Sequence, residues 1–532
     1  MSSTEQIKNG KTVIGIEFGS TRIKAVLIGE DSTPLAAGIY GWQNELADGV
    51  WTYSLDSVRA GLQDCFADLM KNVEENYGVK LEKAAGIGIS AMMHGYLAFD
   101  RNDHQLVPFR TWRNTMTEEA ADRLTEAFGF NIPQRWSVAH LYQAVLNNEP
   151  HIGRLDFITT LAGYVHYLLT GEKVLGAGDA SGVFPIDQDT CGYDKKMLEV
   201  FDELAAGTEL RKSITELLPG IVPAGECAGR LTEEGARLLD PTGTFKSGVP
   251  FCPPEGDAQT GMVATNSITP KTGNVSAGTS IFSMIVLEEK LSSVHREIDI
   301  VNTPCGAPVA MVHCNSCTSD LDAWFGLFGE LLKEAGADMP KGRLYDMLYA
   351  LAAEGDPDCG GIISYNYYAG EPVTGIKEGR PLLMRSPDSP FNIRNLARSL
   401  VYSCVASLKA GMDILTEQEH VKLERIYAHG GFFKTPVPSQ NVLAAALGAD
   451  VTLMKTAGEG GAWGMALLAS YMVNRDSGMS LEDFLSQRVF ADMKGSTAAP
   501  DKETAEGINA YMKKYLSGLS AVRAAASEEK KG

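Results

Sequence analysis

The sequence predicts an α/β protein of two large domains built on one scheme. Three observations carry this. Two stretches half the chain apart look alike, Val13–Leu27 and Gly273–Val286, each an apolar run, a Gly with two hydroxyl residues, and a second apolar run. Short apolar runs alternate with amphipathic ones in both halves, the pattern of strands interleaved with helices. A chain of 532 residues is also long enough for two substantial cores.

Taken in order, Val13–Phe18 and Ile23–Leu27 read as strands joined by Gly19-Ser20-Thr21. Ala85–Ser90 is a strand running into a loop at Met92-Met93-His94-Gly95. Leu141–Asn147 and Leu155–Leu169 have helical spacing, and Thr170-Gly171 ends the second as a C-cap does. Asp179-Ala180-Ser181-Gly182 reads as a loop. The junction is expected near Gly261–Lys271, which divides the chain into residues 1–264, residues 265–520 and a polar tail, 521–532, expected to fray. The second half repeats the scheme. The hairpin turning at Gly278-Thr279-Ser280 comes first, then a long helix over Asn392–Leu415 and a strand, Glu424–Ala428, entering His429-Gly430-Gly431. Pro438–Leu447 is a helix stopped by Gly448, Asp450–Leu453 a strand, and Glu459–Met472 a small-residue helix opened by Gly460-Gly461.

Each hairpin turn suits an anion. Glycine lets backbone amides come close, and hydroxyls add donors. Neither is a Walker loop, because a strand follows where that motif needs Lys-Ser/Thr and a helix. Either turn alone is more readily an ordinary hairpin; the pair, at matching places in two halves, points to the phosphates of a nucleotide.

Composition narrows the partners. Net charge is −20, which argues against nucleic acid or an anionic membrane as the main partner, though not against ATP, whose phosphates amides and magnesium handle locally. The polar start, Met1–Lys11, lacks the core of a signal peptide, and no window approaches a membrane span. The nine scattered cysteines then read as reduced thiols of the cytoplasm. Cys314 and Cys317, beside His313, form a lone C-x-x-C without a second ligand pair, so packing is expected ahead of metal or redox chemistry.

The ordered series Gly19-Ser20-Thr21, Ser90–Gly95, Trp112-Arg113-Asn114, Leu169–Glu172, Asp179–Gly182, Gly256-Asp257, Gly278-Thr279-Ser280, Gly370-Glu371, Gly430-Gly431 and Glu459–Gly464 resembles the FGGY carbohydrate kinases, within the sugar kinase, Hsp70 and actin superfamily. The resemblance implies two RNase H-like domains flanking a catalytic cleft, and transfer of the γ-phosphoryl of ATP to a sugar hydroxyl. That chemistry asks for positioning, magnesium and a base. The resemblance makes Asp257 the base, where the residues alone leave a helix cap equally open. Glu17 stands where the family has an aspartate that handles Mg²⁺. The ATP contacts implied are Gly19, Ser20, Thr21, Gly278, Thr279, Ser280, Gly430 and Gly431. Phe432 or Phe433 could stack on adenine, with core packing the competing reading. Lys24 reads as solvated.

For the sugar, Met93-His94-Gly95 resembles the Met-His-Gly of xylulokinases, whose His meets the ketose, while Asp257-Ala258 looks like the ribulokinases. Trp112 could cover an apolar sugar face, with Arg113, Asn114 and Gln259 bonding hydroxyls. Pro372 replaces the Arg common after Gly-Glu. A ketopentose, ribulose or xylulose, is therefore expected, with gluconate or a deoxyhexulose as alternatives. The rival class is an ATP-driven activator using Cys314 and Cys317 for iron and sulfur. Sugar and ATP are the partners expected, and a homodimer stays open.

Overall fold

The structure, a computed structural model, describes residues 1–454, 460–493 and 495–527. Contacts gather them into two compact units. The first takes in Met1–Ile268, Ile300–Val309 and residues 460–492; the second takes in Thr269–Asp299, residues 310–454, 493 and 495–527.

In the first unit β1 (Val13–Phe18), β2 (Arg22–Ile28) and β3 (Pro34–Gly41) make an antiparallel meander. β4 (Gly86–Ala91) lies parallel to β1, and β5 (Glu255–Gly256) parallel to β4, giving the order β5-β4-β1-β2-β3. Every residue of β4, and every residue of β1 except Glu17, is buried, as strands covered on both faces require. The helices that matter here are α1 (Leu55–Tyr77), α2 (Ser137–Leu146), α3 (Leu161–Thr170), α4 (Ala177–Ser181) and α5 (Asp257–Ala264).

The other sheet contains β6 (Thr272–Ala277), β7 (Ile281–Val286), β8 (Asp299–Asn302), β9 (Pro308–Cys314), β10 (Arg425–His429), β11 (Asp450–Leu453) and β12 (Ser496–Ala498). Its order is β8-β9-β7-β6-β10-β11-β12. The inner five strands repeat the first sheet: an antiparallel hairpin of β6 and β7, with β10 and β11 added in parallel beside β6. This is the RNase H-like scheme, twice. Helices α6 (Ser319–Glu334), α7 (Ile393–Asp413) and α8 (Pro436–Leu447) belong to the second unit, α9 (Gly460–Asn474) to the first, and α10 (Lys502–Ser527) closes the described chain. α1 packs on β2 and β3, and α9 packs on β1, β4 and α5.

Four expectations need correction. The helix expected over Leu155–Leu169 starts only at Leu161, because the Thr160 side chain caps it and Phe157–Thr159 pairs as a strand with Leu97–Phe99. The helix expected from Leu141 begins a turn earlier, at Ser137. Asp179–Ser181 is helical, its first amides held by the distant Glu255 carboxylate. The tail does not fray at Ala521: α10 runs to Ser527 with Val522 buried, and residues 528–532 lie outside the described residues, as does Glu459. Among the described residues no helix is long and apolar enough to cross a membrane.

Candidate active site

Parallel strands leave their carboxyl ends side by side, and the first unit places its acids there. Register pairs Glu17 of β1 with Ser90 of β4, and Ser90 with Glu255 of β5. The chain then turns at Gly256, the N-cap of α5, so that Asp257 is the first helical residue rather than a cap. The backbone N–H of Met93 donates to Asp257 Oδ1 at 3.1 Å. Ser90 and Thr260 hydroxyls meet at 3.1 Å and tie β4 to α5. Glu17 Oε2 accepts from Ala462 N at 3.2 Å, at the start of α9. That approach needs Gly461, where a Cβ would stand 2.3 Å from Glu17 Oε1.

Burial raises these acids. Asp257 is pushed up to about 6 by desolvation, against the pull of the Met93 and Ala258 amides. Glu17 rises to about 7, by burial first and by the Asp257 charge second. Two further carboxyls stand behind. Burial, then the Asp179 charge, raises Glu255 to about 8; burial raises Asp179 to about 7, with the Asp257 charge adding to it. A hard divalent cation that keeps its waters and takes one or two carboxylates plus phosphate oxygens fits Glu17 and Asp257, which carry negative charge at a cost. Among the described residues no cluster of three or more metal-ligating side chains occurs.

The sugar-loop residues are placed unevenly. His94 is buried in the left-handed region, φ 67°, its ring stacked on Trp136 at 6.1 Å and its Nδ1 3.3 Å from the Gly182 carbonyl. Gly95 is tied to α2, its carbonyl accepting from Ser137 Oγ. Trp112 is exposed. Arg113 lies 4.1 Å over the Trp51 ring and donates to Asn44. Asn114 departs from the expected role: it is buried, its Oδ1 accepting from Trp51 N and its Nδ2 donating to the Trp51 and Thr111 carbonyls, so its amide holds the chain instead of reaching a hydroxyl. Gln259 is wholly buried and donates to the Asn302 carbonyl at 3.2 Å.

Both hairpin turns have their carbonyls bound inward. In the first, Gly19 O accepts from Trp42 Nε1 at 2.7 Å, Ser20 O from Tyr53 Oη at 2.7 Å, and Thr21 O from Trp42 N at 3.2 Å. Trp42 and Tyr53 stack at 4.2 Å. In the second, Gly278 O accepts from Thr318 N, Thr279 O from Cys317 N, and Ser280 O from Gly278 N, at 3.1, 2.9 and 2.8 Å. Across a trans peptide the N–H opposes the C=O, so carbonyls bound inward turn the following amides outward. Thr21 and Thr279 are exposed at the two tips. Trp42 and Tyr53 carry no motif, and sequence reasoning missed them. The C-x-x-C acquires a structural role: Cys314 and Cys317 are buried free thiols, and the Cys317 amide supports the second turn.

The loop after β10 lies against that turn. Ser276 pairs with His429, and Gly430, φ 109°, sits so close to β6 that a Cβ would fall 2.2 Å from Ala277 O. Gly431 has open space. Phe432 is 2% exposed, edge-on to Tyr349 and Phe433. Its ring is core packing here and offers no face for stacking, which favours the packing reading.

Known proteins match along most of the chain. Residues 12–264 match the N-terminal domain of the FGGY family of carbohydrate kinases, and residues 273–473 its C-terminal domain. The xylulose kinase of Haemophilus influenzae is 24% identical over 95% of this chain and 99% of its own. The ribulokinase of Geobacillus thermodenitrificans is 24% identical over 83% and 81%. In fold, the gluconate kinase of Lactobacillus acidophilus superposes with a TM-score of 0.78 at 16% identity, over 97% of this chain and 99% of that one. Sugar kinases of this family use ATP as phosphate donor. With both family domains matched and the RNase H-like scheme present twice, this chain belongs to the FGGY family of carbohydrate kinases and is a phosphotransferase.

Proposed function

We propose that the chain transfers the γ-phosphoryl of ATP to a hydroxyl of a ketopentose, xylulose or ribulose. The observation that carries this is Asp257: an acid at the carboxyl end of parallel strands, oriented by the amide beside His94 and raised to about 6 by burial. Such a carboxylate is ionised at neutral pH yet basic enough to take the proton of an attacking hydroxyl. The Met93–Gly95 loop supplies the sugar side, together with Trp112 and Arg113, and the named xylulose and ribulose kinases lean the same way.

The outward amides of the turns at Gly19-Ser20-Thr21 and Gly278-Thr279-Ser280 take phosphate oxygens, and Gly430-Gly431 passes the nucleoside. Glu17, with Asp257, would hold Mg²⁺, which when bound neutralises charge on the phosphates. Sugar and ATP are the partners proposed, and the cytoplasm the place of work. A net charge of −20 disfavours nucleic acid.

The test is ADP release with both enantiomers of xylulose and ribulose, gluconate, glycerol, and no sugar. Release that depends on a ketopentose supports the reading. ATP turnover that is equal without sugar overturns it and favours an ATP-driven activator.

A further inference from the structure

We propose that Asp179, Tyr193 and Gln259 form an acceptor-rich subsite that takes the hydroxyls of a neutral sugar and turns away sugar acids. The inference rests on the kinase reading above and deepens it by naming the chemical class of the substrate. Asp179 is wholly buried on α4; its Oδ2 accepts from Thr160 Oγ1 at 2.6 Å, while its Oδ1 has no partner among the described residues. Gln259 donates through Nε2, and its Oε1 is likewise buried without a partner among the described residues. The buried hydroxyl of Tyr193 is the third such atom, and the Asp179 charge reaches it.

Asp179 and Gln259 meet at the short helix α4, which touches the catalytic elements at both ends. At its start, a Cβ on Gly178 would fall 2.4 Å from Gln259 Cγ; just past its end, a Cβ on Gly182 would fall 2.6 Å from His94 Nδ1. Buried polar atoms are almost always paired, and each exception calls for an explanation. The Gln259 oxygen only accepts, the Asp179 oxygen accepts whenever the carboxyl is ionised, and the Tyr193 hydroxyl can donate or accept, so what completes them is a set of O–H donors. A polyol brings those donors. An aldonate brings a carboxylate, which donates nothing and adds like charge beside Asp179, Glu255 and Asp257.

The experiment compares wild type with Asp179→Asn and Tyr193→Phe, by coupled assay and by calorimetric titration with xylulose, ribulose and gluconate. The wild type is expected to bind a neutral sugar at least about tenfold more tightly than gluconate. Asp179→Asn is expected to raise the KM for the neutral sugar about tenfold, to leave the KM for ATP within about twofold, and to narrow the preference over gluconate. Tyr193→Phe, which loses only a hydroxyl, is expected to raise the sugar KM about threefold and carries the test if Asp179→Asn does not fold. An unchanged sugar KM in the folded variants, as an internal water on these atoms would give, overturns the subsite. So does wild-type binding of gluconate equal to that of the neutral sugars, or no binding of either. If the wild type binds a neutral sugar with the expected preference but releases no ADP, the kinase reading fails and the subsite stands. If it phosphorylates a neutral sugar other than a pentulose, only the pentose assignment falls.

Discussion

The N–H of Met93 holds Asp257 Oδ1 at 3.1 Å, so the residue next to His94 orients the carboxylate. Loop and base are one device, and a change in one is felt in the other.

Replacing the base isolates its chemistry. Asp257→Asn should keep the bond from Met93 N and lower kcat by about 10²–10⁴ with little change in the KM for the sugar. In the wild type kcat should fall as pH drops below about 6, because the base must be ionised and burial has raised it to there. Steady-state kinetics from pH 5 to 8 check both; an acid limb near pH 4 contradicts the assignment.

The aromatic support of the first turn should matter to ATP alone. Tyr53→Phe and Trp42→Phe each keep a ring and remove one bond to a turn carbonyl. The expected outcome is a rise of about three- to tenfold in the KM for ATP, with the sugar KM unmoved. Equal rises in both constants would mean a general loss of fold.

Gly461→Ala places a methyl where Glu17 Oε1 and Thr260 Oγ1 stand, 2.3 and 2.7 Å away. The carboxylate must swing aside. The expected result is a higher Mg²⁺ requirement, read as a shift of the Mg²⁺ activation midpoint by about tenfold.

Asn114→Ala should act on stability. It leaves the Trp51 N–H without its acceptor, removes one of the three donors to the Trp51 carbonyl, and costs about 1–3 kcal/mol, visible as a lower Tm. The sugar KM should stay within about twofold; a large rise would return Asn114 to the substrate contacts.

Glu255 makes a pH prediction with a definite sign. Burial pushes its carboxyl up to about 8, from an ordinary value of 4.5. The folded chain therefore holds the extra proton, and this contribution is complete below about 4.5 and lost as pH rises through about 8. Stability of Glu255→Gln should vary less over that window than that of wild type, by denaturant titration. An identical slope would contradict the shift.

Much of this was legible in the sequence because it is local. Gly19-Ser20-Thr21 between two apolar runs specifies a hairpin, and Gly448 stops α8 in the left-handed region. What the sequence hides is pairing at a distance. Nothing near Asp179 announces that Glu255, 76 residues on, caps its helix. Asn114 looks like a sugar ligand until Trp51, 63 residues back, occupies its amide. Trp42 and Tyr53 sit among ordinary turn and strand residues, and only folding brings them to the carbonyls they hold.

The two turns carry the same pattern of inward carbonyls, yet the donors differ in kind. Side chains supply two of the three in the first turn, whereas main-chain amides alone supply the second. A single base change can therefore remove one bond of the first support. The second is blind to side-chain identity and yields only to proline, the residue without an N–H. Of two halves that share one plan, one is thus open to tuning by point substitution and the other is sheltered from it.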